Sequence, residues 1–344
     1  MKLSILIPMY NASEHIGNCL DGLLNQDIPK EDYEIIVMDD GSTDDSTEIV
    51  KGYVERSENV ILHIEENSGC YSTRNKLLKL ARGEYIYNLD ADDYIVYRSL
   101  KKIISTAKQH DVDILGFNSI STTEVNLFSS NTKNEVTDVT IYNGIEFLSK
   151  RKYLNITVWW YIIKRDFIIK NKICFEIGNP MEDGPFTLRT FLKANRIIHL
   201  KMDIHRYVQV PTSIMNNENR DHLNKMIENY IDLIPRYNSL IVDISKRHNP
   251  NLHKVIDNIK YRRDVNVYFM FFKMIKSNIS IVQINKILNE FKSLKAYPIT
   301  QFIGEEYNQK KFIISAYIFN HKTLFYFVLY PIRIMYRLKL INLP

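Results

Sequence analysis

The first 95 residues alternate four times between short apolar runs and amphipathic stretches, and few folds accommodate that pattern. Leu3–Pro8, Glu34–Met38, Val60–Ile64 and 84–89 are rich in β-branched and aromatic residues, as buried strands are. Between them, apolar residues recur at helical spacing: Ile16, Leu20 and Leu23, then Ile49, Val50 and Tyr53, then Leu77 and Leu80. Repeated strand–helix units predict a doubly wound α/β domain, a Rossmann-like and mostly parallel sheet flanked by helices and joined by right-handed crossovers.

In such sheets ligands bind beyond the carboxyl ends of the strands. The first strand runs into Pro8-Met9-Tyr10-Asn11, the second into Asp39-Asp40-Gly41-Ser42-Thr43-Asp44, and the fourth into Asp90-Ala91-Asp92-Asp93. One edge would then carry an aromatic ring, up to five carboxylates and a helix N-terminus. Asp-x-Asp at a strand end can aim two hard oxygen donors at one point, which suits Mg²⁺ or Mn²⁺. The ten residues from Glu84 to Asp93 alone read equally well as a solvated acidic turn opening the next helix. The wider inventory suits a nucleotide diphosphate. A base can stack near Tyr10 and donate to Asp39, while Arg74 supplies a guanidinium for the phosphates. The plain alternative for Arg74 is a surface position on a helix.

SILIPMYN, Gln26, IIVMDDGSTDDS, the N-S-G-x-x-x-x-R-N run of 67–75 and ARGEYIYNLDADD together resemble the family-2 glycosyltransferases of GT-A fold, over roughly residues 1–215. The resemblance implies sugar transfer from a nucleotide-diphosphate donor, usually UDP-linked, with a divalent metal, Mn²⁺ or Mg²⁺. It puts Pro8, Tyr10, Asn11, Asp39, Asp40, Arg74, Asp90 and Ala91 on the donor, with Asp92 and Asp90 at the metal. Glu182-Asp183 resembles the family's Glu-Asp motif, where the Asp is the general base. An acceptor hydroxyl must lose its proton as it attacks the anomeric carbon, and a carboxylate within reach can take it. Acids at a helix start also complement the dipole, so the motif has a structural reading as well. Trp159 and Trp160 suit either an acceptor sugar face or the core.

The chain departs from the pattern in places. Tyr71 and Thr73 replace smaller residues before Arg74-Asn75, which would narrow the donor site. In the downstream Tyr-x-x-Arg-x-x-Ser pattern, Tyr207 and Ser213 fit but Val210 replaces Arg, so one phosphate or acceptor contact is either missing or supplied elsewhere, with Arg206 as the candidate. Two rival activities are a sugar nucleotidyltransferase and a non-catalytic nucleotide-sugar-binding protein. The first usually carries a Gly-rich loop after strand 1, and here there is none. The second would tolerate loss of the base or metal ligands, and both are present.

These features divide the chain into a glycosyltransferase domain, 1–218, and a helical region, 219–344. Within the first, 1–117 would bind the nucleotide-sugar and 118–218 the acceptor, with the polar 118–140 read as a hairpin or loop excursion. After residue 220 glycine occurs only at Gly304, and runs such as 254–261 and 282–294 have helical periodicity. Residues 307–344 lack Asp and Glu and interleave six Lys and Arg with aromatic and aliphatic residues. Such an end suits an anionic membrane surface, or a terminal helix packed on the protein.

The net charge of +5 is too weak and dispersed to argue for nucleic acid. Cys19, Cys70 and Cys174 lie far apart, with no disulfide or zinc spacing, so a reducing compartment is expected. The N-terminal apolar run is too short for a signal peptide and reads as the first strand. No run reaches the length of a membrane span. The expected partners are a nucleotide-sugar and a saccharide or lipid-linked acceptor, with no nucleic acid. The expected location is the cytoplasm, peripheral on the inner face of the cell membrane, in surface-polysaccharide synthesis.

Overall fold

The computed structural model describes residues 1–132, 139–210, 219–304 and 306–343. Its strands are β1 (Leu3–Met9), β2 (Tyr33–Asp39), β3 (Val60–Ile64), β4 (Tyr85–Asn88), β5 (Tyr94–Ile95), β6 (Ile114–Thr122), β7 (Tyr161–Lys164) and β8 (Ile197–Val208). They form one sheet in the order β3-β2-β1-β4-β7-β6-β8-β5. The first four strands are parallel to one another, as the alternation predicts. Beyond β4 the sheet is mixed: β7 runs antiparallel to both β4 and β6, β6 pairs parallel with β8, and β5 is antiparallel to β8. Helices α1 (Ile16–Leu24), α2 (Ser46–Arg56), α3 (Cys70–Leu80), α4 (Leu100–Gln109), α5 (Gly144–Ser149), α6 (Arg165–Lys170) and α7 (Asp183–Lys193) connect the strands. The core between strands and helices is led by Leu3, Ile5, Ile7, Leu20, Leu23 and Val37, all buried.

The entry into β4 shows why Arg82-Gly83 precedes it. A Cβ on Gly83 would lie 2.4 Å from the Ser4 nitrogen, so only glycine passes. The Ser4 hydroxyl accepts the Gly83 and Arg82 amides at 2.7 and 3.1 Å and donates to buried Glu34 at 2.6 Å. Arg82 closes the group with two bonds to Glu34, at 2.8 and 2.6 Å.

Two element boundaries have identifiable physical reasons. Helix α1 begins at Ile16, and the amides ahead of it are already taken. Asn11 donates to the Ser42 hydroxyl at 2.9 Å, Ala12 to the Ser46 hydroxyl at 2.8 Å, and Ser13 to Asp44 at 3.0 Å. Strand β6 continues to Thr122, past the apolar run, because Asn118–Thr122 pair with Asp203–Val208 of β8 beyond a bulge. Polar residues hold strand geometry there through backbone pairing. Part of the predicted excursion, 133–138, lies outside the described residues.

The chain divides into two compact units, 1–147 with 155–211, and 148–154 with 212–344. The predicted boundary at 218/219 borders 211–218, which lie outside the described residues. The second unit holds α8 (Arg220–Ser245), α9 (Leu252–Lys276), α10 (Ile281–Ser293), α11 (Lys310–Asn320) and α12 (Lys322–Arg337). Ring contacts build its core: Tyr268 stacks on Phe302 with centroids 3.8 Å apart and Phe271 on Phe319 at 4.5 Å. Buried Asp264 accepts the Thr300 and Gln301 amides at 2.7 and 2.8 Å. Residues 148–154, inside the predicted first domain, pack with this unit. Asn258 donates to the Leu148 carbonyl at 2.8 Å, and the Tyr153 and Tyr261 rings meet edge to face at 5.2 Å. All three cysteines are free thiols.

Candidate active site

The register of β1 against β2 places Met9 beside Asp39, and the Asp40 amide bonds the Met9 carbonyl at 2.8 Å. The carboxyl ends of these strands therefore share one edge with the end of β4. Much of the acidic second turn builds its own loop. Asp39 is buried and accepts the Ser42 amide at 2.9 Å and the Thr47 hydroxyl. Asp40 accepts the Ser68 and Gly69 amides at 2.7 and 2.9 Å. It thereby ties the end of β2 to the start of α3, and this explains the Asn-Ser-Gly run: Gly69 adopts a φ of +86° that disfavours other residues. Asn11, itself at a φ of 49°, accepts the Thr43 amide at 2.8 Å. Tyr10 stands out from this frame, 52% exposed.

Asp90, Asp92 and Asp93 follow β4 as a turn, with the Asp93 amide bonded to the Asp90 carbonyl at 3.2 Å. The turn leads into β5, not into a helix. Each acid offers one oxygen within 4.8 Å of the others. Their surroundings differ. Asp93 is buried, accepts the Val208 amide at 2.9 Å, and stands 3.0 Å from His205 Nε2. Asp90 pairs with Arg74. Asp92 has no hydrogen bond or ion pair to another described residue. Burial, and then the charge of Asp90, pushes Asp92 up to about 7 and Asp93 up to about 8. His205, wholly buried, is pushed down to about 3 by that burial. Sequence reasoning missed His205, because a lone His in an alternating strand carries no local signal.

Arg74 is only 3% exposed and joins the two halves of the site. It bonds Asp183 at 2.7 Å through one terminal nitrogen and Asp90 through the other. The guanidinium carbon lies 5.4 Å from the centre of the Tyr71 ring and 5.6 Å from that of Phe175. Next door, the Asn75 side chain bonds the backbone of Phe175 in both directions, at 2.8 and 2.9 Å. Arg74-Asn75 thus fastens α3 to the segment 175–183. Arg74 is therefore a buried bridge between carboxylates, neither the surface residue nor the open phosphate clamp that the sequence allowed.

Several other expectations are corrected by burial. Tyr71 does not narrow a donor pocket: its hydroxyl donates to the Pro180 carbonyl at 3.0 Å and accepts the Asp183 amide at 3.3 Å. Thr73 is buried and bonds the Gly69 carbonyl at 3.1 Å. Arg206 is fully buried, spending its guanidinium on the carbonyls of Leu127 and Ser129 and on Asp203 at 3.0, 2.8 and 3.1 Å, so it cannot replace the missing arginine on a phosphate. Ser213 lies outside the described residues. Trp160 is a core residue, packed against Phe191 and His199. Trp159 is buried in a stack with His205 and Tyr207, at 4.2 and 5.5 Å, and only Tyr207 of the three is exposed.

The structure also separates the two acids at the start of α7. The Glu182 carboxylate is 0% exposed, paired with Arg189, and accepts the Glu176 amide at 3.1 Å. That burial removes it from any acceptor, and its role is to hold the turn. Asp183 keeps a side chain 23% exposed. Burial raises its affinity for a proton, and the Arg74 charge opposes that. Pro8 is half-buried and Ala91 buried, both at the edge where the strands end.

Residues 4–176 match the family model "Glycosyl transferase family 2". The chain belongs to glycosyl transferase family 2. A poly(ribitol-phosphate) β-glucosyltransferase of Bacillus spizizenii is 35% identical over 57% of the chain, which spans 30% of that relative's own length. The crystal structure of Staphylococcus aureus TarS 1–349 in complex with UDP-GlcNAc superposes with a TM-score of 0.66 at 20% identity, covering 98% of this chain and 92% of that one. A mannosyltransferase of Pyrobaculum calidifontis, in complex with GDP-Man and Mn²⁺, gives 0.53 at 16% identity over 93% and 86%. These likenesses establish the GT-A fold with a helical C-terminal region.

Proposed function

We propose that the chain transfers a glycosyl group from a UDP-sugar to a hydroxyl of a surface-polymer acceptor, with inversion at the anomeric carbon. The observation that carries this reading is the Arg74 bridge. It joins a cluster of hard oxygen donors at Asp90, Asp92 and Asp93 to a partly exposed carboxylate, Asp183, across one guanidinium. Leaving group and proton acceptor need to sit on two sides of one reacting carbon; one of these carboxylate sites would hold the departing diphosphate through a cation and the other would take the proton.

Asp183 takes the proton from the attacking hydroxyl. Arg74 holds its carboxylate in place and counters the burial that would keep it protonated. One direct displacement inverts the centre. The exposed Tyr10 ring supports stacking of a base, and Asp39, with one bond on each oxygen, can still accept from its N–H. Tyr207 is the exposed ring suited to a sugar face. The crowded carboxylates fit Mn²⁺ or Mg²⁺, held by Asp92 and Asp90, since three acids so close favour a cation and all donors are oxygen. When bound, such an ion neutralises charge on the departing diphosphate. The poly(ribitol-phosphate) named for two relatives supports a polymer acceptor; its lipid linkage and its meeting the enzyme at the cytoplasmic face of the membrane are part of this proposal.

Calorimetric binding of UDP, GDP and CDP, with and without Mn²⁺, tests the donor site. The expected result is UDP binding that needs Mn²⁺ and is lost in Asp92→Asn. Metal-independent binding, or none, removes the donor reading.

A further inference from the structure

Helix α12 is apolar on both sides, although only one side is covered. Phe325, Leu329 and Arg333, spaced four apart, are buried. Arg333 fixes that orientation by donating to the carbonyls of Met274, Ile275 and Ile279 at 2.8, 3.3 and 2.7 Å. The opposite face carries Phe327, 80% exposed, with Tyr330, Ile334 and Leu338 following at helical spacing. On α11, Ala316 and Phe319 are buried while Ile313, Ile314 and Tyr317 are exposed. A water-facing helix side normally carries polar residues, so these exposed apolar sides need an occupant.

Charge selects the occupant. No Asp or Glu occurs from 307 to 344. Lys310 and Lys311 at the start of α11, and Arg337 and Lys339 at the end of α12, are exposed. A two-fold contact between copies would set this patch against itself, bringing like charges together with no acid in the patch to pair them. An anionic bilayer offers apolar depth and negative headgroups at once. Of the two helices, neither alone is long and apolar enough to span it. They meet at a bend of 115°. At about 1.5 Å per residue, neither α11 nor α12 crosses a hydrocarbon core about 30 Å thick.

We propose that α11 and α12 form an interfacial membrane-docking surface for anionic bilayers. Phe327, Ile334 and Leu338 enter the headgroup–acyl boundary, and the flanking Lys and Arg sit among the headgroups. The surface lies in the second unit, and its test needs neither donor nor acceptor, so it stands or falls apart from the proposed reaction.

Sedimentation of the 344-residue chain with sucrose-loaded vesicles tests it, using phosphatidylcholine alone and with about a third phosphatidylglycerol. The expected result is at least tenfold tighter binding to the anionic vesicles, weakened several-fold by 0.5 M NaCl. Phe327→Ser/Ile334→Ser should weaken it a further tenfold or more, with circular dichroism and UDP binding unchanged because both side chains face water. Lys310→Gln/Lys311→Gln should remove part of the salt-sensitive binding. Wild-type protein left in the supernatant with anionic vesicles overturns the proposal. So does binding that the apolar double variant leaves unchanged. Light scattering that shows a dimer broken by the same variant, without vesicle binding, assigns the face to a second copy instead.

Discussion

The two units of this chain use buried charge differently. In the first, ionisable groups are drawn inside and held against one another: Arg74 between Asp90 and Asp183, Asp93 beside His205, Glu182 on Arg189, Arg206 on Asp203. In the second, Asp264 pairs with Arg263 and also accepts two backbone amides, Arg333 satisfies backbone carbonyls, and the outward face of α12 carries apolar rings. Ten of the eleven glycines fall in the first unit. Its strand-to-helix turns need positive φ at Gly41 and Gly69 and close approach at Gly83, whereas a helical bundle needs neither. Catalytic sites demand crowded, electrostatically costly groups, and a rigid sheet can hold them.

The comparison breaks most visibly at Asp183. Asp183→Asn should lower turnover by about 10²–10⁴-fold with UDP binding retained, measured as UDP release in the presence of acceptor. Full turnover in that variant would show that the carboxylate is only a helix cap. Next is the bridge. Arg74→Met leaves two carboxylates facing each other and should cost about 3–5 kcal/mol in chemical denaturation, together with turnover. The matched change in the second unit, Arg333→Met, strips the carbonyls at the end of α9 of their donor. It should cost about 1–3 kcal/mol while leaving UDP affinity as it was. Equal effects of the two arginines on UDP affinity would erase the distinction between the units.

The smallest effect is in pH. The folded protein holds Asp92 up to about 7 and Asp93 up to about 8, above the ordinary carboxylate range. Raised values mean that the folded state binds more protons than the unfolded chain. The stability this brings is fully present below the unfolded value and is lost as pH rises through 7 to 8. Thermal melting of metal-free protein should therefore fall between pH 6 and 9, and Asp92→Asn should flatten that slope. A melting temperature that rises over this range would mean the acids are already ionised at neutral pH.

Local pattern carried much of the fold. Alternation of apolar runs named β1 to β4 and their parallel order, because strand and helix periods are written in neighbouring residues. The acidic turn after β4 was also legible because strand and carboxylates are adjacent in the chain. The mixed second half was not legible. Strand β7 inserts between β4 and β6, and no local period encodes which edge a later strand joins.

The residue types alone determined the chemistry on offer: oxygen donors for a hard cation, a carboxylate for a proton, an arginine, and a basic apolar end. Tertiary structure decided which of them are used. Glu182 and Asp183 are neighbours in sequence, yet one is sealed on Arg189 and the other reaches Arg74, 109 positions away. Arg206 looked available and is buried, while His205 had no signal and lies against Asp93. On α12, composition could not say which apolar side was covered, and Arg333 locked onto the end of α9 settled it. The physical reason is common to all three. Periodicity depends on neighbouring residues, whereas burial and ion pairing depend on which distant segment the packed chain brings alongside.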